Sequence, residues 1–266
     1  MKPSFIFACA SLPVICGTVH GATVTGSYTI APNDASTPPH VMPSGPDTDW
    51  AYWTRGNGLT SGPLAATNSS FTGPRNFELS TLNGGSLRGP ANTTTGAPVS
   101  FFTYDNGTSP TEPDAGTSTT YRPTGIFNSQ LGPNGTGTSN PSGAGIQTTL
   151  SGFPSQSLIS VWVYNFSAQG TFEVFINGTL SYTETVAIPS ANPSDGKAAY
   201  LFSLNFTPDT TTDEVNIRYR MTDRLSTDAN AHVGLQAITI SPIPEPASLA
   251  MLLLGTGTLG FRRRRI

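Results

Sequence analysis

The side chains able to do chemistry in this 266-residue chain are few, and their spacing limits what they can do. His40 lies in a proline-flanked stretch, Pro39-His40-Val41-Met42-Pro43, and His232 heads an apolar run. A nucleophilic triad needs a serine on a sharp turn beside a histidine, and no Gly-x-Ser-x-Gly elbow occurs. A zinc centre needs three or four nitrogen or sulfur ligands, and neither a His-Glu-x-x-His nor a cysteine pair outside the first sixteen residues is present. Among 16 acids no local pattern singles out the two facing carboxylates of a glycoside hydrolase. No catalytic residue is assigned, and the expectation is a protein that is not an enzyme.

Binding chemistry has more to work with. Asp47-x-Asp49 offers carboxylate oxygens to calcium, a hard cation wanting six to eight of them, and Asp34, Asp105 or Asp114 would have to complete the shell. The competing reading is that Asp before a strand bonds its own backbone in a turn. Trp50, Tyr52 and Trp53 present flat aromatic faces of the kind that stack on sugar rings. A strand puts Trp50 and Tyr52 on one face and Trp53 on the other, so one of those faces is core, and packing is expected to explain at least two of the three. Trp162 and Tyr164, on one face of a hydrophobic strand, are expected in the core. His232 is expected to face solvent. Asn-x-Ser/Thr sequons fall at Asn68, Asn92, Asn106, Asn134, Asn165, Asn177 and Asn205, a number that a chain rich in Asn, Ser and Thr produces by composition.

The last twenty-five residues form a tripartite tail: Pro244-Glu245-Pro246, an uncharged apolar run over residues 247–261, and Arg262-Arg263-Arg264-Arg265. As a helix the run reaches about 22 Å, short of a bilayer core of about 30 Å. The arginines belong on the cytoplasmic side, which places everything before residue 247 across the membrane. The pattern Gly255-x-Gly257-x-x-Gly260 lies inside this run with no βαβ unit around it, so it is not a dinucleotide site. The order and position of the three parts resemble the PEP-CTERM sorting signal of bacteria that secrete exopolysaccharide. The resemblance implies that an exosortase, a membrane-embedded cysteine transpeptidase or protease, recognises Pro244-Glu245-Pro246 and removes the helix. The alternative is an ordinary tail anchor in which the prolines merely end a strand.

The N-terminus agrees with export: Met1-Lys2, an apolar stretch from Phe5 to Cys16, then small residues Gly17, Gly21 and Ala22 read as a signal peptide over residues 1–22. Both cysteines, Cys9 and Cys16, fall in it, so the segment 23–241 is expected to be stabilised by burial alone. Its length suits one sizeable core. Only 11% of residues are charged and the net charge is −3, which leaves no basic surface for nucleic acid.

The elements that must position these residues are strands. Stretches rich in β-branched and aromatic residues over Ser157–Phe166, Thr171–Ile176, Leu180–Ala187, Ala199–Phe206, Glu214–Met221 and Val233–Ile240 come at regular spacing. Thr23–Ile30, Trp50–Trp53, Arg75–Ser80, Val99–Tyr104 and Gly145–Leu150 are weaker strands between long loops. Asn177-Gly178 predicts a type I′ hairpin turn. The expectation is an all-β, two-sheet antiparallel jelly-roll sandwich, flanked by the signal peptide and a C-terminal transmembrane helix. Asp49-Trp-Ala-Tyr-Trp53, Thr124-Gly-Ile-Phe127, Ile159-Ser-Val-Trp-Val-Tyr164 and Val233-Gly-Leu-Gln-Ala-Ile-Thr-Ile240 look like jelly-roll modules of the galactose-binding-like kind found in bacterial surface proteins. Together these readings point to an exported surface or extracellular-matrix protein, structural or adhesive in an exopolysaccharide biofilm. The alternative is a carbohydrate-binding module.

Overall fold

The computed structural model describes residues 21–31, 40–45, 48–55, 63–67, 76–89, 102–104, 125–129, 140–187, 198–225 and 231–243, and every element among them is a strand. In chain order they are β1 (Thr23–Ala31), β2 (His40–Val41), β3 (Asp49–Arg55), β4 (Pro63–Thr67), β5 (Leu79–Leu82), β6 (Ser86–Arg88), β7 (Phe102–Thr103) and β8 (Ile126–Ser129). There follow β9 (Gly145–Leu150), β10 (Ser157–Phe166), β11 (Ala168–Ile176), β12 (Thr179–Thr185), β13 (Ala198–Thr207), β14 (Val215–Arg224) and β15 (His232–Pro242).

Two antiparallel sheets pack face to face in the jelly-roll-like sandwich that the strand pattern predicts. The larger has eight strands in the order β1-β13-β10-β15-β3-β4, with β8 also pairing β15 and β6 pairing β8; the smaller runs β12-β11-β14-β9-β5. Side chains alternate across a strand, so Phe172, Val174 and Ile176 of β11 and Val215, Ile217, Tyr219 and Met221 of β14 all enter the space between the sheets. From the larger sheet Val161, Val163, Phe202, Leu204, Phe206, Ile238 and Ile240 meet them. Phe172 stacks on Phe202 at 3.9 Å between ring centroids, with the planes 10° apart. The β11–β12 hairpin closes through Asn177 (φ 49°) and Gly178 (φ 81°), both in the left-handed region that a type I′ turn requires.

A third layer was not foreseen. The two-residue strands β2 and β7 pair in parallel, His40 with Phe102 and Val41 with Thr103, and lie over the outer face of the larger sheet. β10 therefore buries both faces: Val161 and Val163 look toward the smaller sheet, Trp162 and Tyr164 away from it. Close approach is needed beside Tyr164, because a Cβ on Gly234 would sit 2.1 Å from its ring and one on Gly125 2.8 Å from it. Gly125, at φ +109°, also needs the freedom that only glycine has.

Candidate functional site

β3 carries the aromatic triplet from the sequence, and both of its faces are covered. Trp50 is 1% exposed, Tyr52 8% and Trp53 3%. Trp53 turns toward the smaller sheet and meets Phe77 edge-on at 6.5 Å. Trp50 and Tyr52 turn the other way, where Tyr104 packs 4.6 Å from Trp50 and 5.8 Å from Tyr52, and Phe102 lies 5.2 Å from Tyr52. His40 and Phe102 then close over Trp162 at 5.3 and 5.4 Å. The expectation that one face of this strand is core thus becomes two buried faces, and Trp50, Tyr52 and Trp53, the possible glycan-stacking residues, present no open ring face.

Burial dictates the electrostatics of this layer. It lowers the His40 pKa below the usual 6.5 and raises the Tyr104 hydroxyl to about 12. The Tyr164 hydroxyl is pushed far above its ordinary value for the same reason. The Tyr104 and Tyr164 hydroxyls and the Trp162 indole Nε1 find no hydrogen-bond partner among the described residues.

Of the calcium pair, Asp47 lies outside the described residues. Asp49 is buried at the start of β3, and its Oδ1 accepts the amide of the next residue, Trp50, at 2.8 Å. Among the described residues no group of three or more His, Cys, Asp or Glu is placed to hold a metal ion. The most organised carboxylate is Asp213, in the turn before β14. Its Oδ2 accepts the amides of Asp209 and Thr210 at 2.7 and 2.8 Å, and its Oδ1 accepts Asn177 Nδ2 at 2.8 Å. These bonds hold its pKa below the usual carboxylate range, the Thr210 amide contributing most. Asp213 is a clasp joining the β13–β14 turn to the β11–β12 hairpin.

Two residues, His232 and Asn165, stand where the sequence misplaced or under-read them, while Asn177 takes the turn position it was expected to take. His232 is buried, not solvent-facing: its imidazole lies between Phe127 at 3.8 Å and Phe166 at 5.2 Å, both stacked. Asn165, a sequon asparagine, is buried and accepts a short hydrogen bond from the Tyr219 hydroxyl. Asn177, another, is taken up by the turn and by the bond of its Oδ1 to the Glu214 amide at 2.9 Å. Asn205 is exposed on β13, and the other sequons lie outside the described residues.

A surface the sequence did not single out is the outer face of the smaller sheet. Glu173 and Phe175 of β11, Asn216, Arg218 and Arg220 of β14 and Gln147 and Thr149 of β9 share it, because strand register aligns them across three strands. The Arg218 guanidinium lies 4.2 Å over the Phe175 ring and its Nε donates to Asn216 Oδ1 at 2.7 Å. Arg220 pairs with Glu173 at 2.7 Å. Only the alternation of Glu173, Phe175, Asn216, Arg218 and Arg220 with core residues could have marked this face in the sequence.

The sorting residues Pro244, Glu245, Pro246, Arg262, Arg263, Arg264 and Arg265 lie outside the described residues, as does the apolar run 247–261. Among the described residues no helix is long and apolar enough to cross a membrane. What the structure does describe is the strand that leads to the tail: β15 runs to Pro242, and the Ile243 amide donates to Gln156 O at 2.9 Å.

Residues 242–265 match the PEP-CTERM protein-sorting motif. The C-terminal end of the chain therefore carries a protein-sorting motif. No curated protein matches the chain. Among solved structures it is similar to a carbohydrate-binding module, CBM36, in complex with calcium and xylotriose, at 15% identity over 47% of this chain and 85% of that one, with a TM-score of 0.27. A likeness that slight carries no conclusion about calcium or sugar here.

Proposed function

We propose that this chain is an exported, non-catalytic sandwich protein, held at the membrane by residues 247–261 with its arginines cytoplasmic, processed by an exosortase at Pro244-Glu245-Pro246, and delivered to the cell surface or extracellular matrix. There it serves a structural or adhesive role in an exopolysaccharide biofilm. The sorting-motif match over residues 242–265 carries this reading. The last strand running directly into that motif supports it, since a paired strand of the sandwich reaches Pro242, where the motif begins. Signal peptide 1–22, sandwich 23–241 and sorting signal 242–266 are the corresponding units. Intact-mass measurement of the protein recovered outside the cell tests it: the expected product lacks residues 247–266, and a product that keeps them overturns the processing step.

A second reading, glycan binding, draws on the outer face of the smaller sheet and not on Trp50, Tyr52 and Trp53. A half-exposed Phe175 under Arg218, flanked by Asn216, Gln147 and Thr149, offers one apolar ring face and several hydrogen-bonding groups to a polysaccharide chain. Sedimentation of the purified sandwich with exopolysaccharide should be lost in the Phe175→Ala variant; equal retention of both proteins would remove the reading. Calcium enters only through Asp47 and Asp49, and a thermal midpoint unmoved by chelator would exclude it.

A further inference from the structure

We infer that β1 is the interface of a homodimer, its free edge pairing antiparallel with the same edge of a second copy of this chain. Among the described residues five strands lie at the ends of the two large sheets: β1, β4 and β6 in the larger, β12 and β5 in the smaller. An open strand edge presents unpaired N–H and C=O groups that template another strand, and proteins blunt it with brevity, proline, charge or a bulge. Four of these five edges carry such a device. β5 has four residues, and β6 has three and bears Arg88. β4 has five and begins at Pro63. β12 bears Glu184, and its register with β11 shifts between Val174 and Phe175. β1 carries none of them. Its nine residues, Thr23-Val-Thr-Gly-Ser-Tyr-Thr-Ile-Ala31, include no charge and no proline, and they pair with β13 in one unbroken register from Thr23 opposite Thr207 to Ala31 opposite Ala199.

The side chains of β1 make that edge self-complementary. In an antiparallel pair alternate residues turn their N–H and C=O away from the neighbour, so about half of the backbone groups of β1 point off the sheet. Among the described residues none of β1 makes a backbone bond outside its ladder with β13. Val24, Gly26, Tyr28 and Ile30 share the inner face; Val24 and Tyr28 pack against the inner core, while Ile30 is left 57% exposed. Thr23, Thr25, Ser27 and Thr29 share the outer face, and all four are exposed. A two-fold axis through Ser27, perpendicular to the sheet, sets Val24 against Ile30 of the second copy, Gly26 against Tyr28, Thr25 against Thr29 and Ser27 against Ser27. Apolar residues then meet apolar ones, hydroxyls meet hydroxyls and an aromatic ring covers a glycine, all cross-strand pairs that stabilise sheets. Because β1 is uncharged, its copy brings no like charge opposite. A strand from an unlike protein would need the same alternation by coincidence, whereas a second copy has it by symmetry. The two larger sheets become one continuous sheet, and the exposed Ile30 is covered.

Sedimentation equilibrium of the full-length chain, kept in solution by a density-matched detergent, tests the interface. A dimer is expected. Ser27→Lys faces solvent in the monomer and sets two ammonium groups against each other in the dimer, so it should raise the dissociation constant about tenfold or more. Ser80→Lys, equally exposed on the β5 edge, should leave it unchanged. Cysteine substitution reads the register without adding charge. Antiparallel partners have Cα atoms about 4.5–5.5 Å apart, within reach of a disulfide. With Cys9→Ser and Cys16→Ser removing the chain's own thiols, Ser27→Cys should oxidise to a covalent dimer, and Ser80→Cys should form no cross-link under the same oxidant. A wild-type chain that stays monomeric at its highest soluble concentration overturns the interface. A dimer that Ser27→Lys does not weaken, or that Ser27→Cys does not cross-link, puts the contact elsewhere and overturns it as well.

Discussion

Around β3, β10 and β15 the eight-stranded sheet is buried on both faces, but by different means. Toward the smaller sheet lies an aliphatic and aromatic core drawn from long, fully paired strands, in which the tyrosine hydroxyls have partners: Tyr219 donates to Asn165, and Tyr200 to Ala187 O at 2.9 Å. The Thr148 hydroxyl is an exception on that side. On the far face, Trp50, Tyr52, Trp162 and Tyr164 are roofed by His40, Met42, Phe102 and Tyr104, with two register pairs joining the roof. There the Tyr104 and Tyr164 hydroxyls and the Trp162 indole have no partner among the described residues. The inner face combines packing with hydrogen bonding; on the outer face these three polar groups are, among the described residues, held by packing.

Substitutions should separate the two faces. The largest effect is expected from Phe172→Ala, which empties the centre of the inner core and should cost about 3–5 kcal/mol in urea unfolding. Tyr219→Phe leaves the buried Asn165 carbonyl without its donor and should cost about 1–3 kcal/mol. Phe102→Ala removes the roof over Tyr52 and Trp162. Because only two register pairs join β7 to β2, the cost should stay at about 1–2 kcal/mol, accompanied by a red shift of tryptophan emission. Tyr164→Phe deletes a hydroxyl that has no partner among the described residues, so it should change stability by less than about 0.5 kcal/mol or improve it. Equal costs for Tyr219→Phe and Tyr164→Phe would erase the contrast between the faces.

What was legible in the sequence follows from how local each signal is. Phe172/Val174/Ile176 and Val215/Ile217/Tyr219/Met221 declare a buried face by alternation, and Asn177-Gly178 declares its turn by chemistry, so the inner core and its hairpin could be read directly. The sorting signal is legible because its three parts are contiguous. β2, β4, β6 and β8 were missed as strands because each is two to five residues long and gains its identity only from a distant partner, as His40 does from Phe102. The fate of Trp50 and Tyr52 turned on that same pairing: their own strand says which face they share, while Phe102 and Tyr104 decide that the face is closed.

The smallest effect is a pH dependence confined to the roof. Burial against Phe102 and Trp162 favours neutral His40, so its folded-state pKa lies below the unfolded value of 6.5. The unfolded or unroofed chain then takes up the proton first, and the stability His40 contributes is complete above about pH 6.5 and declines as pH falls below it. Asp213 follows the same sign in a different window, since its depressed pKa costs stability only as pH drops below the ordinary 3.8. Acidification from pH 7 to 5 should therefore shift tryptophan emission to the red through Trp162 while leaving the thermal midpoint of the sandwich nearly unchanged, and His40→Gln should abolish the shift. An emission spectrum indifferent to pH over this range would mean that the roof holds as firmly as the inner core.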